Sequence, residues 1–350
     1  MLSVLSRAYG AVVKRRNTAY DTGKYTPYRV SVPVMSIGNM TTGGTGKTPM
    51  AQYIARELLA LGASPAIIGR GYKRKSSGQV VVCDGQHICA TADSAGDELL
   101  LHAELLGIPV IADEERAKAA ETAIQCNANV IIMDDGFQHR RLHRDSDIIL
   151  IDRTTLDETS LLPIGRLREP IQAALRAQCI VCTGGVTINE LPPSILTTNV
   201  ILVEAQSQIG RVYQLQSHSL HECIRRGVTS QSNAPAQSVL AVSGIAHPER
   251  FRRSLHSIMS QGFRVVGEIT FADHARYTER SIQKICAMAH DVGAECIITT
   301  EKDAVKLRAF LSIFDRQHIP VYVAPLTLSM SHGADELRRH CATLTGLSSR

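Results

Sequence analysis

The sequence predicts an α/β fold, a parallel sheet flanked by helices, with a second and smaller α/β unit after it. Three observations carry that prediction. Short apolar runs alternate with stretches of helical periodicity along nearly the whole chain. A Gly/Thr-rich loop, Thr42-Gly43-Gly44-Thr45-Gly46-Lys47-Thr48, stands between the first apolar run and the helix after it. The fully apolar run 130–133 ends in two acids, Asp134-Asp135.

The elements follow in order. Residues 2–16 have helical spacing, with Leu2, Leu5, Tyr9 and Val12 on one face, Val4, Ala8 and Val13 beside it, and cations at Arg7, Lys14, Arg15 and Arg16. Two readings fit this segment: a helix lying in a membrane interface, or a helix packed on the domain. Residues 33–37 read as a strand. The helix after the glycine loop spans about 49–61, with Pro49 in a first turn that does not need its N–H. Strands are expected at 66–69, 109–112, 130–133, 148–151 and 179–182, a hairpin at 79–90 around Asp84-Gly85, and helices at 97–106 and 114–126. Residues 205–237 are richer in Ser and Gln and read as a linker. The second series comprises strands at 239–242, 265–266, 296–299 and 321–324 and helices near 248–260, 278–292 and 303–311. The expected division is a helix at 1–25, a main domain at 26–204, the linker, and a second α/β domain at 238–350.

Composition narrows the function. The chain has 350 residues, 44% hydrophobic and 20% charged, which are values of a folded globular protein. Aromatics make up 4% and Trp is absent, which argues against stacking on single-stranded nucleic acid. The net charge of +5 suits an anionic substrate or membrane surface. Nine cysteines without framework spacing suit a reducing compartment, and the lone Cys179/Cys182 pair has no partner pair at zinc spacing. No apolar run approaches the roughly 18–20 residues that span a bilayer, and the first residues lack signal-peptide organisation.

The chemistry-bearing motifs point to phosphate. Between a strand and a helix, glycines at 43, 44 and 46 let backbone N–H groups converge on an anion, Lys47 reaches the terminal phosphates and Thr48 can ligate Mg²⁺. Against the general P-loop pattern the first glycine is missing, since position 41 is Thr. Asp134 or Asp135 supplies the acid at a strand end that holds the metal, directly or through water. Thr300-Glu301-Lys302-Asp303 is close to a guanine-reading motif, but its Lys and Asp are adjacent, which favours ATP. Gly96-Asp97-Glu98 opens a leucine-rich helix; two acids there serve as caps or as a base for an attacking hydroxyl. Phe271-Ala272-Asp273-His274 is an Asp–His pair after a strand. Three basic loops, 69–75, 136–145 and 162–170, fall at expected strand ends and would surround one crevice. A nucleotide-dependent ATPase switch on a membrane shares several of these features, but it usually carries a second Lys early in its loop, and 41–45 has none. A nucleic-acid module would use the basic loops, against the scarcity of aromatics.

In order along the chain, the segment 33–49 around the phosphate loop, Gly69-Arg70-Gly71-Tyr72, Gly96-Asp97-Glu98, Asp134-Asp135-Gly136-Phe137-Gln138-His139, Leu167-Arg168-Glu169-Pro170, Phe271-Ala272-Asp273-His274 and Thr300-Glu301-Lys302-Asp303 resemble the tetraacyldisaccharide 4′-kinase family of lipid A biosynthesis. A missing glycine at position 41 is usual there. The resemblance implies a P-loop kinase that moves the γ-phosphate of ATP to the 4′-hydroxyl of an acylated glucosamine disaccharide 1-phosphate. It implies nucleotide binding by residues 42–48 and Mg²⁺ near Thr48, Asp134, Asp135 and Glu98. Asp97 would be the base with His274 as its partner, and Lys47 would act on the phosphates. Gln138, His139, Arg168, Arg116 and Arg70 would face the sugar and its phosphate. It also implies a peripheral position on the cytoplasmic face of the inner membrane through the N-terminal helix, with neither nucleic acid nor an obligate protein partner. Departures from the family pattern are Lys73-Arg74-Lys75, Leu99, and Ile164-Gly165-Arg166.

Overall fold

The computed structural model describes residues 2–226, 236–245, 248–273 and 275–347. Its strands in chain order are β1 (Val34–Asn39), β2 (Pro65–Gly69), β3 (Val80–Asp84), β4 (Pro109–Ala112), β5 (Val130–Asp134), β6 (Ser146–Ile151), β7 (Cys179–Cys182), β8 (Ile201–Ile209), β9 (Tyr213–Gln214), β10 (Gln237–Ser243), β11 (Phe263–Thr270), β12 (Cys296–Thr300), β13 (Val321–Ala324) and β14 (Leu326–His332). They form two sheets. The larger runs β14-β8-β7-β6-β1-β5-β2-β4-β3, and the smaller β11-β10-β12-β13-β9.

The interior strands of the large sheet pair in parallel, while β3 and β14 close its edges antiparallel. A strand covered on both faces must be apolar throughout, and β1, β5, β6 and β7 are buried along their whole length. The expected α/β fold, a parallel sheet flanked by helices followed by a smaller α/β unit, is the one observed.

Element boundaries move for physical reasons. The helix after the glycine loop begins at Lys47 rather than 49, because Gly46 takes a left-handed cap conformation and places Pro49 inside the first turn. The N-terminal helix continues from Leu2 to Asp21. Residues 205–237 are not simply a linker: β8 runs to Ile209, β9 joins the second sheet, and a helix covers Leu220–Arg226, while 227–235 lie outside the described residues. The second unit also ends earlier than 350. After Ala324 the chain crosses back, β14 pairs with β8, and helix Ala334–Thr345 packs on helix Lys47–Ala60.

The two units are clamped along helix Asp97–Leu106. Its Glu104, fully buried, accepts both guanidinium nitrogens of Arg308 and the backbone N–H of Leu220 at 3.2 Å. Removing one partner of such a pair leaves a buried charge uncompensated. Arg308→Met is therefore expected to cost about 3 kcal/mol in urea unfolding; a loss below about 1 kcal/mol would show that the pair behaves as an exposed one.

Candidate active site

β1 and β5 are neighbours with Ile37 opposite Asp134, so the phosphate loop and the acidic strand end emerge side by side. After Asn39 the chain is pinned from the other flank: the Arg168 N–H donates to Met40 O at 2.6 Å and the Thr42 N–H to Arg166 O at 2.9 Å. Thr41 is buried, with its hydroxyl 3.3 Å from that of Thr155. The position where the general pattern has glycine is thus a packed position here. The glycines that the backbone needs are Gly43 (φ 136°) and Gly46 (φ 96°), both in the left-handed half of the map. Thr45 O accepts from the Thr183 hydroxyl at 3.2 Å, and Gly44 O accepts from Arg250 of the second unit at 3.1 Å.

The Asp134–His139 segment divides between packing and chemistry. A side chain at Gly38 would meet Phe137 Cβ at 2.5 Å, and one at Gly136 would meet Met133 at 2.7 Å. Both glycines therefore exist to let β1 and the turn after β5 touch. Phe137 is fully buried beneath the Arg176 guanidinium, 4.4 Å away. Asp135 adopts φ 52°, a conformation uncommon outside glycine, which turns its carboxylate toward the loop.

A connected polar network results. Lys47 Nζ lies 3.2 Å from Asn39 Oδ1 and 3.6 Å from Asp135 Oδ1. Arg168 Nη1 donates to both oxygens of Asp135, at 2.8 and 2.9 Å, and lies 3.4 Å from Gln138 Oε1. Gln138 in turn donates to Asn39 O at 2.9 Å. Burial works against the Asp135 charge, but Lys47 and Arg168 outweigh it and hold the carboxyl below its ordinary range.

Asp134 is buried at the end of β5. One carboxylate oxygen lies 3.2 Å from His102 Nε2, and the other, Oδ1, has no hydrogen-bond partner among the described residues. Glu98 is held above its ordinary range, first by burial and then by the neighbouring Asp134 charge, with Lys302, Lys47 and His102 pulling the other way. Asp97 is the first residue of its helix, after a Gly96 (φ 84°) whose missing side chain would lie 2.8 Å from Tyr72 O. Across the cleft its carboxylate meets Lys306 at 3.3 Å.

Arg116 is buried, and Nη1 donates to Asp113 O. Burial lowers its pKa to about 10; the Asp135 charge opposes that shift and Arg70 adds to it. His139 is lowered to about 4 by burial and by Arg116, Arg141 and Arg144. Arg70, exposed at the end of β2, belongs to the same electropositive region. The three basic loops do not all face it. Arg74 pairs with Glu114, Lys75 with Asp93, Arg140 with Asp21 and Arg144 with Asp147. His274 lies outside the described residues. Sequence reading missed His102, which sits five residues after Asp97 on a leucine-rich helix, and Lys306, three after Asp303.

Comparison with known proteins shows the family. The Tetraacyldisaccharide-1-P 4′-kinase family pattern matches residues 1–343. The chain belongs to that family. Curated relatives named tetraacyldisaccharide 4′-kinase include one from Desulfotalea psychrophila, 38% identical over 95% of this chain and 93% of its own length. Another, from Geobacter sulfurreducens, is 37% identical over 94% and 88%. The solved structure of LpxK from Aquifex aeolicus in complex with ATP aligns over 97% of both chains, with a TM-score of 0.76 and 29% identity. The fold is thus that of a P-loop kinase, and the protein is an ATP-dependent phosphotransferase of lipid A biosynthesis.

The low proton affinity of His139 has a measurable consequence. An unfolded histidine takes up a proton near pH 6.5 and folded His139 near 4. Between those values the unfolded chain binds more protons, so stability falls as pH drops through that window. His139→Gln should flatten this decline in acid unfolding curves; a His139 ring that titrates near 6.5 by NMR would contradict it.

Proposed function

We propose the following division of labour for the transfer of the ATP γ-phosphate to the sugar 4′-hydroxyl. The N–H groups at the start of helix Lys47–Ala60, together with residues 42–46, cradle the phosphates, and Lys47 neutralises the terminal ones. Asp97 takes the proton of the 4′-hydroxyl, with His274 as its partner. The 4′-oxygen then bonds to the γ-phosphorus as the bond to the β–γ bridging oxygen breaks, and ADP leaves with those electrons. Arg168, Arg116, Arg70, Gln138 and His139 orient the acceptor and its 1-phosphate. At pH 7 a neutral His139 donates or accepts a hydrogen bond without adding charge.

The residues present fit a magnesium ion. Asp134 Oδ1 is a buried carboxylate oxygen with no hydrogen-bond partner among the described residues, and it lies next to the loop that ends in Thr48. Among the described residues no cluster of three or more His, Cys, Asp or Glu could hold a metal alone. That suits magnesium, which commonly takes one or two protein oxygens and completes its shell with phosphates and water. Thr48 and Asp134 would hold it, with Asp135 and Glu98 around them, and it would supply charge neutralisation at the β- and γ-phosphates.

The same reading covers the membrane. Helix Leu2–Asp21 docks through Ser6, Tyr9, Arg16 and Asn17, whose partners are Leu161 O, Arg168 O and Glu169. Leu2, Val4, Leu5 and Val12 are 51–67% exposed, close to Arg7, Lys14 and Arg15. The packed reading of the helix is the one observed, and its exposed apolar strip flanked by cations supports the membrane reading as well. We place the protein peripherally on the cytoplasmic face of the inner membrane; no described helix is long and apolar enough to cross it.

The observation that carries this reading is the convergence of Lys47, Asp134 and Asp135 where β1 and β5 end side by side. Asp97→Ala is expected to reduce turnover by about three orders of magnitude while calorimetric ATP affinity stays within about threefold. Near-normal turnover would reject Asp97 as the base. Leu5→Ser/Val12→Ser should weaken binding to anionic vesicles about tenfold without changing ATP affinity; unchanged vesicle binding would remove the helix from the membrane contact.

A further inference from the structure

We propose that Lys306 is a positioning residue for phosphoryl transfer, fixing the Asp97 carboxylate from the opposite side of the cleft. This rests on the reading of Asp97 as the base.

Lys306 belongs to helix Glu301–Leu307 of the second unit, and its side chain is only 10% exposed. Its ammonium lies 3.3 Å from Asp97 Oδ2, donates to Ala275 O at 3.1 Å, and lies 3.6 Å from Asp303 Oδ1. An ammonium has three N–H groups, and three acceptors from three segments surround it. The Tyr277 ring lies 5.6 Å away and covers another side.

The far anchor does not move with Asp97. Asp303 is fully buried, and it accepts from Gly244 N at 2.9 Å, from the Tyr277 hydroxyl at 3.0 Å and from the Thr300 hydroxyl at 2.7 Å. Those partners root it at the ends of β10 and β12. At the near end the Asp97 side chain is 13% exposed, and the residue before it must be glycine, because a side chain at Gly96 would lie 2.8 Å from Tyr72 O and 3.1 Å from the Gly71 carbonyl carbon. Lys306 therefore joins the rigid floor of the second unit to the first residue of helix Asp97–Leu106.

An ammonium beside a base also weakens that base. A purely electrostatic role would slow proton removal, so the gain from Lys306 must be geometric. A carboxylate at a helix start has rotamer freedom, and misplacement by about 1 Å costs on the order of a hundredfold in rate. Because the cation comes from the second unit, docking of the two units becomes a condition for aiming the base.

The test is a double-mutant cycle on the full chain, with radiolabelled ATP, an acylated glucosamine disaccharide 1-phosphate and calorimetric ATP binding. Lys306→Met should lower kcat about a hundredfold with KM for ATP changed less than about threefold. Lys306→Arg should recover at least about tenfold of that loss. In the Asp97→Asn background Lys306→Met should have no further effect beyond about twofold. Lys306→Gln is carried in parallel, and retained ATP binding reports an intact fold in each variant. The proposal is overturned if every folded Lys306 variant keeps kcat within about threefold of wild type, or if Lys306→Met costs the same factor with and without Asp97. Wild-type turnover in Asp97→Asn alone would instead defeat the reading of Asp97 itself. Loss of turnover in Asp97→Asn with normal turnover in the Lys306 variants defeats only the present inference.

Discussion

In the middle of the large sheet, β1 and β5 run parallel with Ile37 opposite Asp134, and the contact at their ends sets the distance between a phosphate cradle and its acids. That contact depends on the absence of two side chains. A methyl group at Gly38 or Gly136 would collide with Phe137 or Met133, forcing the strand ends apart. Lys47 would then lose the approach to Asp135, and the chain of contacts from Lys47 through Asp135 to Arg168 and Gln138 would open. The second pin is the 166–168 segment, whose backbone holds Met40 and Thr42 from the other flank while its Arg168 side chain completes the network.

This explains how much of the site could be read from the amino acids. Strand–loop–helix context and the acids after an apolar run were legible because both are local: a glycine loop and a strand end announce themselves within about ten residues. Asp134-Asp135-Gly136-Phe137-Gln138-His139 was legible as a site, yet Gly136 and Phe137 serve packing, a distinction no linear pattern carries. Pairs such as Asp97 with Lys306 or Glu104 with Arg308 join residues about two hundred positions apart and were invisible without the fold. The basic loops misled because charge counts do not show which cations are already taken by Glu114, Asp93, Asp21 and Asp147.

The fold had the same split. Central parallel strands were read correctly from continuous apolar runs. Leu326, Leu328 and Met330 alternate as a strand should. The sheet it joins cannot be read, because an antiparallel edge strand needs only a free edge, and β8 offers one. The return of β14 and helix Ala334–Thr345 to the first sheet makes the chain cross between units twice, after Ile209 and after Ala324. At the second crossing the buried Glu301 accepts from the Leu326 N–H at 3.1 Å, so the crossing is tied to the helix that carries Lys306.

The distribution of charge around the cleft follows a rule that the individual contacts do not reveal. Asp135 is matched by Lys47 and Arg168, and Asp97 by Lys306, each cation coming from a different element. Asp134 and Glu98 are not matched so closely. His102 meets one oxygen of Asp134, while the other stays unpartnered among the described residues, and Glu98 responds by holding its proton more tightly. Burial raises the proton affinity of Glu98 first, and the Asp134 charge raises it further. Magnesium held by Thr48 and Asp134, as proposed, would offset the carboxylate charge beside the phosphate cradle.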